Sequence, residues 1–508
     1  MLKSILSVGG YTLLSRLSGF ARDIMLAAVL GAGALMDAFS VALRLPNHFR
    51  AIFGEGAFNQ AYVPAYSQTA EREGEAAAAT FRDRLFTLLL IVQVVLLALA
   101  LPFMPVLVRL LAPGFASDPA LFDLAVTLTR ITFPYLLFVT MVTFLGATLN
   151  AIDRYAAAAA APILLNVAII AALALAWLFP SAAHAAAWGV ATAGVLEWLL
   201  LTVAARRAGV CGKLVRPRVD AEVKRFLRAF GPAVIGSAGV QIALFADTII
   251  ASLLPRGGYS ALYYADRLYQ LPLGLIAIAV GTVALSHMSR HIARGDEAAA
   301  NRSQNRAIAI ALFASAPFVA AFTLIPDQIV AALFQRGAFD AQASEAAGAV
   351  LFAYALGLPA VVTIRTQVSA FQSRSDTTTP MIVSLCAIAV NLMLKLALWR
   401  DWGAQGLALA TAAGAWINVV TLFVLARRRG WTEPDPRLPG FAAIVAASAL
   451  LAGLAAWWLA PTATAMTISV PHEPRLVALA LIAAAASCLY LGLAGLGLKA
   501  TGALRLLR

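Results

Sequence analysis

Charge is scarce in this chain: Asp, Glu, Lys and Arg make up 12% of its 508 residues, against about 25% in an ordinary globular protein. With 61% hydrophobic residues and a mean hydropathy of +0.84, lipid rather than water must be its main solvent. Soluble enzymes and secreted factors are excluded on that ground. Cysteine is nearly absent, and Cys211, Cys386 and Cys488 show neither metal-ligand nor disulfide spacing. No metal site is expected. Histidine is equally sparse; His184, His287, His291 and His472 fall in loops or at segment ends and carry no chemistry. A cleavable leader is also missing from the reading, because the first apolar segment runs on through Arg16, Arg22 and Asp23.

What is present is long apolar runs. With a window of about 20 residues the chain divides into fourteen stretches, from 4–30 and 34–60 to 438–461 and 475–498. The fold class expected is an all-α polytopic membrane protein with fourteen transmembrane helices. The basic excess, +13 overall, would suggest a nucleic-acid partner in a soluble protein. Placed on alternating loops, however, 25 basic residues fall on the side of the N-terminus, five on the other side and eight within the spans. That asymmetry follows the positive-inside rule with both termini cytoplasmic, and no nucleic acid is needed to explain the charge.

A weak internal repeat runs through the spans. Asp23-x3-Ala27, a turn at Gly31 and Gly33, and Leu45-Pro46 return as Asp247-x3-Ala251, Gly257-Gly258 and Leu271-Pro272, an offset of about 224. Similar offsets relate Pro134 to Pro359 and Asp153 to Asp376, and a slightly shorter one relates Ala205-Arg206-Arg207 to Ala426-Arg427-Arg428. Six helices separate the copies, an even number, so the repeats are parallel, as in transporters whose halves rock about a midplane site. The expected domains are a six-helix lobe at 1–210, a basic cytoplasmic linker at 211–228, a second six-helix lobe at 229–430 and two further helices at 431–508.

Charges inside the spans are costly, roughly 2.5–3.5 kcal/mol each at a helix centre. The bases are Arg16, Arg22, Arg44, Arg50, Arg130, Arg267, Arg365 and Lys395; the acids are Asp23, Asp37, Glu55, Glu197, Asp247 and Asp266. Seven of these fourteen lie in the first two segments. Arg16, Arg22 and Arg50 suit an anion of fixed geometry such as a phosphate, because a guanidinium donates paired hydrogen bonds where an ammonium is a point charge. The competing structural reading is that they are helix-packing salt bridges, for example Arg22 with Asp23 or Asp37. Asp266-Arg267, preceded by Tyr263-Tyr264, is either part of a cavity or an interfacial anchor, and Arg130 beside Pro134 is either functional or snorkelling. Arg44 and Arg365 are further cavity charges. A second polar group joins Asp247 to Asn391, Lys395 and Thr411. Asn391 and Lys395, four apart, share a helix face, and an Asp247–Lys395 ion pair would stand in for a coupling cation.

The block Ser15-Arg16-x-x-Gly19-Phe20-x-Arg22-Asp23, Gly31-Ala32-Gly33-x3-Asp37-Ala38-Phe39, Leu45-Pro46-Asn47-x-x-Arg50 and Glu55-Gly56-Ala57-Phe58 resembles the MurJ/MviN family of lipid II flippases. Ala112-Pro113-Gly114-Phe115, Ile131-Thr132-Phe133-Pro134-Tyr135 and Tyr263-Tyr264-Ala265-Asp266-Arg267 extend the resemblance over most of the chain. It implies a fourteen-helix member of the multidrug/oligosaccharidyl-lipid/polysaccharide exporter superfamily in the bacterial inner membrane. The implied cargo is lipid II, an undecaprenyl-pyrophosphate disaccharide-pentapeptide. Pyrophosphate binding then falls to Arg16, Arg22, Arg50 and Arg267, with Asp37 and Glu55 as supporting acids, and the two extra helices form a groove for the lipid tail. A departure is Lys395, where the resemblance implies an acidic or neutral ion-binding residue. No cofactor is expected beyond coupling to the membrane potential. The expected partners are lipid II, membrane phospholipid and the peptidoglycan synthesis machinery, with the chain working as a monomer. Competing readings are a flippase for another polyprenyl-linked glycan such as an O-antigen unit, a drug/cation antiporter, and a membrane-bound enzyme acting on the lipid.

Overall fold

A computed structural model describes residues 2–50, 57–467 and 473–507. Among these residues every regular element is helical. The chain divides into two compact units, Met1–Gly257 and Gly258–Arg508. Ten helical stretches are long and apolar enough to cross a membrane, and with no strand to compete, the backbone satisfies its own polar groups within each helix as hydrocarbon requires.

The first unit contains α1 (Leu2–Leu30), α2 (Ala34–Arg50), α3 (Ala57–Glu73), α4 (Glu75–Ala100), α5 (Met104–Leu111), α6 (Pro119–Thr132), α7 (Tyr135–Ala151), α8 (Ala156–Ala174), α9 (Ala182–Arg207) and α10 (Ala221–Ser252). Helix α8 packs between α1 and α9, α2 lies on α6, and α10 lies on α3. Small residues allow these approaches: a Cβ on Gly189 of α9 would stand 2.9 Å from the Ile169 Cα of α8. An aromatic core of Phe58, Tyr62, Phe81, Phe144 and Phe226 ties α3, α4, α7 and α10 together, and the Tyr62 and Thr148 hydroxyls share a hydrogen bond of 2.9 Å. The segment expected as a linker, 211–228, is in part helix, since α10 begins at Ala221 behind its cap Asp220, which accepts from the Val223 N–H at 2.9 Å. The extended stretch before it is pinned along α4: the Asp83 carboxylate accepts from the Lys213 N–H, the Thr87 hydroxyl from the Val215 N–H, and Arg84 pairs with Asp220.

The second unit contains α11 (Gly258–Ala293), α12 (Glu297–Leu324), α13 (Pro326–Phe334), α14 (Ala341–Ala355), α15 (Leu358–Gln372), α16 (Thr378–Arg428), α17 (Leu438–Thr467) and α18 (Pro474–Ala500). Helix α11 packs on α12 and α15, and α17 joins α12 to α18. The Tyr490 hydroxyl of α18 donates to the Phe313 carbonyl of α12 at 2.6 Å. Helix α16 holds two of the apolar segments, broken at Gly403 with φ 51° and ψ −135°. Its arms lie antiparallel, because Gly406 meets Leu398 and Gly414 meets Asn391.

Apolar segments 121–149 and 344–372 are each broken into two helices, α6–α7 at Pro134 and α14–α15 at Gly357. The repeat is visible in the turns between helices. Asp118 caps α6 through the Leu121 N–H and Asp340 caps α14 through the Ala343 N–H. After α7 the Arg154 N–H reaches the Leu149 carbonyl around left-handed Asp153, and after α15 the Asp376 N–H reaches the Phe371 carbonyl around left-handed Ser375. Both α9 and α16 end on a glycine with positive φ, Gly209 and Gly430, followed by matching bonds from Val210 to Ala205 and from Trp431 to Ala426. These are the same helix stops, set by the left-handed residue that L side chains other than Asn and Asp rarely supply. The unit boundary nevertheless falls at Gly257–Gly258, so α10 belongs by its contacts to the first unit although it opens the second copy of the repeat.

Asp376 shows how one half-buried carboxylate stabilises such a turn. It accepts from the Thr379 N–H at 2.9 Å, the Thr379 hydroxyl at 2.7 Å and the Arg429 guanidinium at 2.6 Å. These donors, the Thr379 backbone first, hold its carboxyl down to about 2. A carboxyl lowered by folding stabilises the protein above its unfolded value, near 3.9, and loses that contribution as pH falls through its folded value. Asp376→Ala is therefore expected to lower the unfolding temperature at pH 6 and to remove part of the loss that wild type shows between about pH 4 and 2. Thermal melts over that range read both effects.

Candidate functional site

The charged set of the first unit is built on α1. Leu2–Leu30 is apolar enough to remain helical through Gly9, Gly10 and Gly19, which brings Arg16, Arg22 and Asp23 onto one rod. Arg16 is exposed. Arg22 is not: its side chain is 13% exposed and that of Asp23 6%. The Arg22 Nε and Nη2 donate to Asp23 Oδ1 at 3.0 and 2.7 Å, and Nη1 donates to Asn166 Oδ1 of α8 at 3.0 Å. The Asn166 amide returns two bonds to α1, to the Ser15 carbonyl at 3.0 Å and the Ser18 hydroxyl at 2.9 Å. A guanidinium in apolar surroundings is tolerable only when its donors are met and its charge is balanced. Asp23 and Asn166 supply both, and they hold the planar fork in one orientation. The structure thus realises the Arg22–Asp23 pair named among the packing alternatives.

Asp37, on the first turn of α2, is 2% exposed. Its Oδ2 accepts from the Gly257 N–H at 2.7 Å. Gly257 has φ +86°, and a Cβ there would meet the Ala32 carbonyl at 3.1 Å, so this turn both needs glycine and is anchored by Asp37. Arg44 is half-buried on α2, near His48, which stacks on Phe245 of α10 with ring centroids 4.3 Å apart. The Arg50 side chain and all of Glu55 lie outside the described residues, as does His472. Arg130 is exposed.

In the second unit Arg267 is half-buried on α11, its guanidinium 4.7 Å from the Tyr263 ring centroid. This cation–π contact joins the two residues one helical turn apart. Asp266 accepts from the Gln270 amide. Arg365 of α15 is exposed, and the base of its side chain packs near Gly281 of α11, where a Cβ would stand 3.0 Å from the Arg365 Cβ. Asn391, Lys395 and Thr411 lie on the two arms of α16, and the register set by Gly414 against Asn391 puts Thr411 at the level of Lys395. Lys395 is 5% exposed, and the Thr411 hydroxyl donates to the Leu407 carbonyl at 3.0 Å. Asp247 is half-buried on α10, in the first unit.

Sequence reasoning missed Asn166, and it placed Gly257 in a turn without its link to Asp37. Asn166 had a signal: it is the single polar side chain in Ala156–Ala174, and a lone amide in a membrane helix needs a partner. Gly257 contributes through its backbone N–H and left no comparable mark.

Solved structures show the class to which this architecture belongs. An inward closed lipid II flippase MurJ aligns with TM-score 0.79 at 23% identity, covering 97% of this chain and 99% of that one. An inward-facing MATE family multidrug transporter of the MOP superfamily aligns with TM-score 0.67 at 14% identity, covering 84% and 97%. The fold is therefore MurJ/MATE-like, and with its ten apolar helical stretches the chain is a multi-pass membrane protein. Residues 26–473 match the profile of the family described as "Lipid II flippase MurJ". A "probable lipid II flippase MurJ" of Rhizobium meliloti (strain 1021) is 40% identical over 98% of this chain and 94% of its own length. The "lipid II flippase MurJ" of Burkholderia cenocepacia is 32% identical over 90% of each. This chain belongs to the MurJ family.

Proposed function

We propose that this chain is a lipid II flippase, moving the lipid-linked peptidoglycan precursor from the cytoplasmic to the periplasmic leaflet of the bacterial inner membrane, and that it transports without catalysing a covalent step. The observation that carries this reading is the 40% identity along almost the whole chain to a relative bearing that name. Fourteen spans, cytoplasmic termini, lobes at 1–210 and 229–430 and alternating access complete the proposal. Arg16, Arg22, Arg50 and Arg267 hold the pyrophosphate, while Asp37 and Glu55 temper their charge. An apolar groove of about 410 Å³ between α12 and α17, lined by Leu312, Val319, Ala446 and Leu450, suits a polyprenyl tail. An antiporter for cationic drugs calls for an acidic pocket, and the arginines argue against it.

With the interior negative, outward movement of an anion is favoured by roughly 2.3 kcal/mol per charge per 100 mV. Depletion of the protein is expected to trap the lipid-linked precursor on the cytoplasmic leaflet. Arg16→Ala and Arg267→Ala are each expected to fail to relieve that accumulation, and collapse of the potential with a potassium ionophore to slow export by wild type. Full rescue by both variants would sink the assignment of the site, and absence of accumulation would sink the flippase itself.

A further inference from the structure

A polar pocket inside the first unit has no part in the cargo site. Its volume is about 180 Å³, and it lies among α3, α7, α8 and α9. Glu197 of α9, 3% exposed, is one wall. Thr143, Gly146 and Asn150 form another, spaced three and four apart on one face of α7, and Asn59 of α3 closes a third side. The Tyr135 hydroxyl donates to Glu197 Oε2 at 3.3 Å. The Thr143 hydroxyl gives its proton to the Val139 carbonyl at 2.9 Å, which leaves oxygen lone pairs toward the cavity. Asn150 Oδ1 is buried and accepts no hydrogen bond among the described residues. On the α8 wall stand Ala158, Ala161 and Pro162.

Carboxylate, amide, hydroxyl and backbone carbonyl oxygens are the ligands of hard cations. One carboxylate supplies one negative charge, which balances a monovalent ion and leaves a divalent one in excess. No described residue lining the pocket is basic, in contrast to the α16 cluster with its buried Lys395. The volume suits one ion and a few waters, whose share is about 30 Å³ each. We propose that this pocket binds Na⁺, with Glu197 as the charged ligand and Asn150, Asn59 and Thr143 as neutral ones.

The test is direct ²²Na⁺ binding to the full chain in detergent, at constant ionic strength with choline as the replacing cation. It requires no lipid II, so its outcome is separate from that of the flippase assay. Wild type is expected to bind Na⁺ saturably, Glu197→Gln to weaken binding at least about tenfold, and Asn391→Ala to retain it. If Glu197→Gln does not purify as a folded monodisperse species, the pair Thr143→Val and Asn150→Ala removes neutral ligands and is expected to give the same weakening. The proposal is overturned if wild type binds no Na⁺, if the pocket variants bind it as wild type does, or if binding disappears in Asn391→Ala alone.

Discussion

Asp23→Leu is expected to destabilise the protein by about 3–5 kcal/mol, because it leaves the inward-held Arg22 guanidinium without its carboxylate. Arg22 cannot relieve this by swinging away: its Nη1 is held by Asn166 and its stem lies in the α1–α8 packing. Arg22→Met alone removes the guanidinium from Asp23, which is 4% exposed, and is expected to cost a similar amount. The double variant removes both charges and replaces them with apolar side chains, so most of the loss should return. Thermal unfolding of the four proteins gives the coupling energy. A coupling near zero would mean that the pair does not act as a unit. The same four proteins separate structure from transport. A double variant that folds normally yet fails to relieve precursor accumulation would show Arg22 acting on cargo, whereas full rescue would assign the pair to packing alone.

Gly114→Val is expected to be more severe still. A Cβ at this position would stand 2.1 Å from the Ser252 carbonyl oxygen, 2.5 Å from its carbon and 2.7 Å from the Leu253 Cα. All three are backbone atoms, so no rotamer change makes room. The contact is also held from both sides: the Gly114 N–H donates to the Ser252 hydroxyl at 3.2 Å, and Arg256 pairs with Asp118 just beyond. Overpacking that side chains can relieve costs about 1–3 kcal/mol; here only backbone could move, so a cost above about 5 kcal/mol is expected, enough to threaten a fold of ordinary net stability. The measurement is the yield of monodisperse protein and its unfolding temperature. Gly440→Ala provides the contrast, since a Cβ there meets nothing within 4 Å and the helix gains roughly 0.5–1 kcal/mol.

The helices were legible because a membrane span needs about 20 apolar residues and each run announces itself. The reversal between the arms of α16 was legible for the same local reason, because Arg400 and Asp401 interrupt the apolar pattern; the break at Pro134 was not, since 121–149 reads as one continuous apolar run. The repeat too was visible in Asp23 and Asp247, although the sequence comparison matched Asp153 with Asp376 while the equivalent left-handed residues are Asp153 and Ser375. Pairings across long separations were not legible. Arg22 was offered Asp23 or Asp37 as its carboxylate, and its third contact, Asn166, lies 144 residues away. Asp37 was assigned to orient arginines, and its carboxylate also fastens the Gly257 backbone 220 residues on. An amide N–H has no side-chain identity, so no residue pattern reports it. Glu197 stood among the intramembrane acids, but only the walls around it, drawn from four helices, show what its oxygen atoms face.

The single non-helical residue between the arms of α16 also constrains biosynthesis. Two apolar rods joined through Gly403 alone, with Gly406 packed on Leu398 and Gly414 on Asn391 across the reversal, form a closed helical hairpin whose second arm, once made, can pack only beside the first.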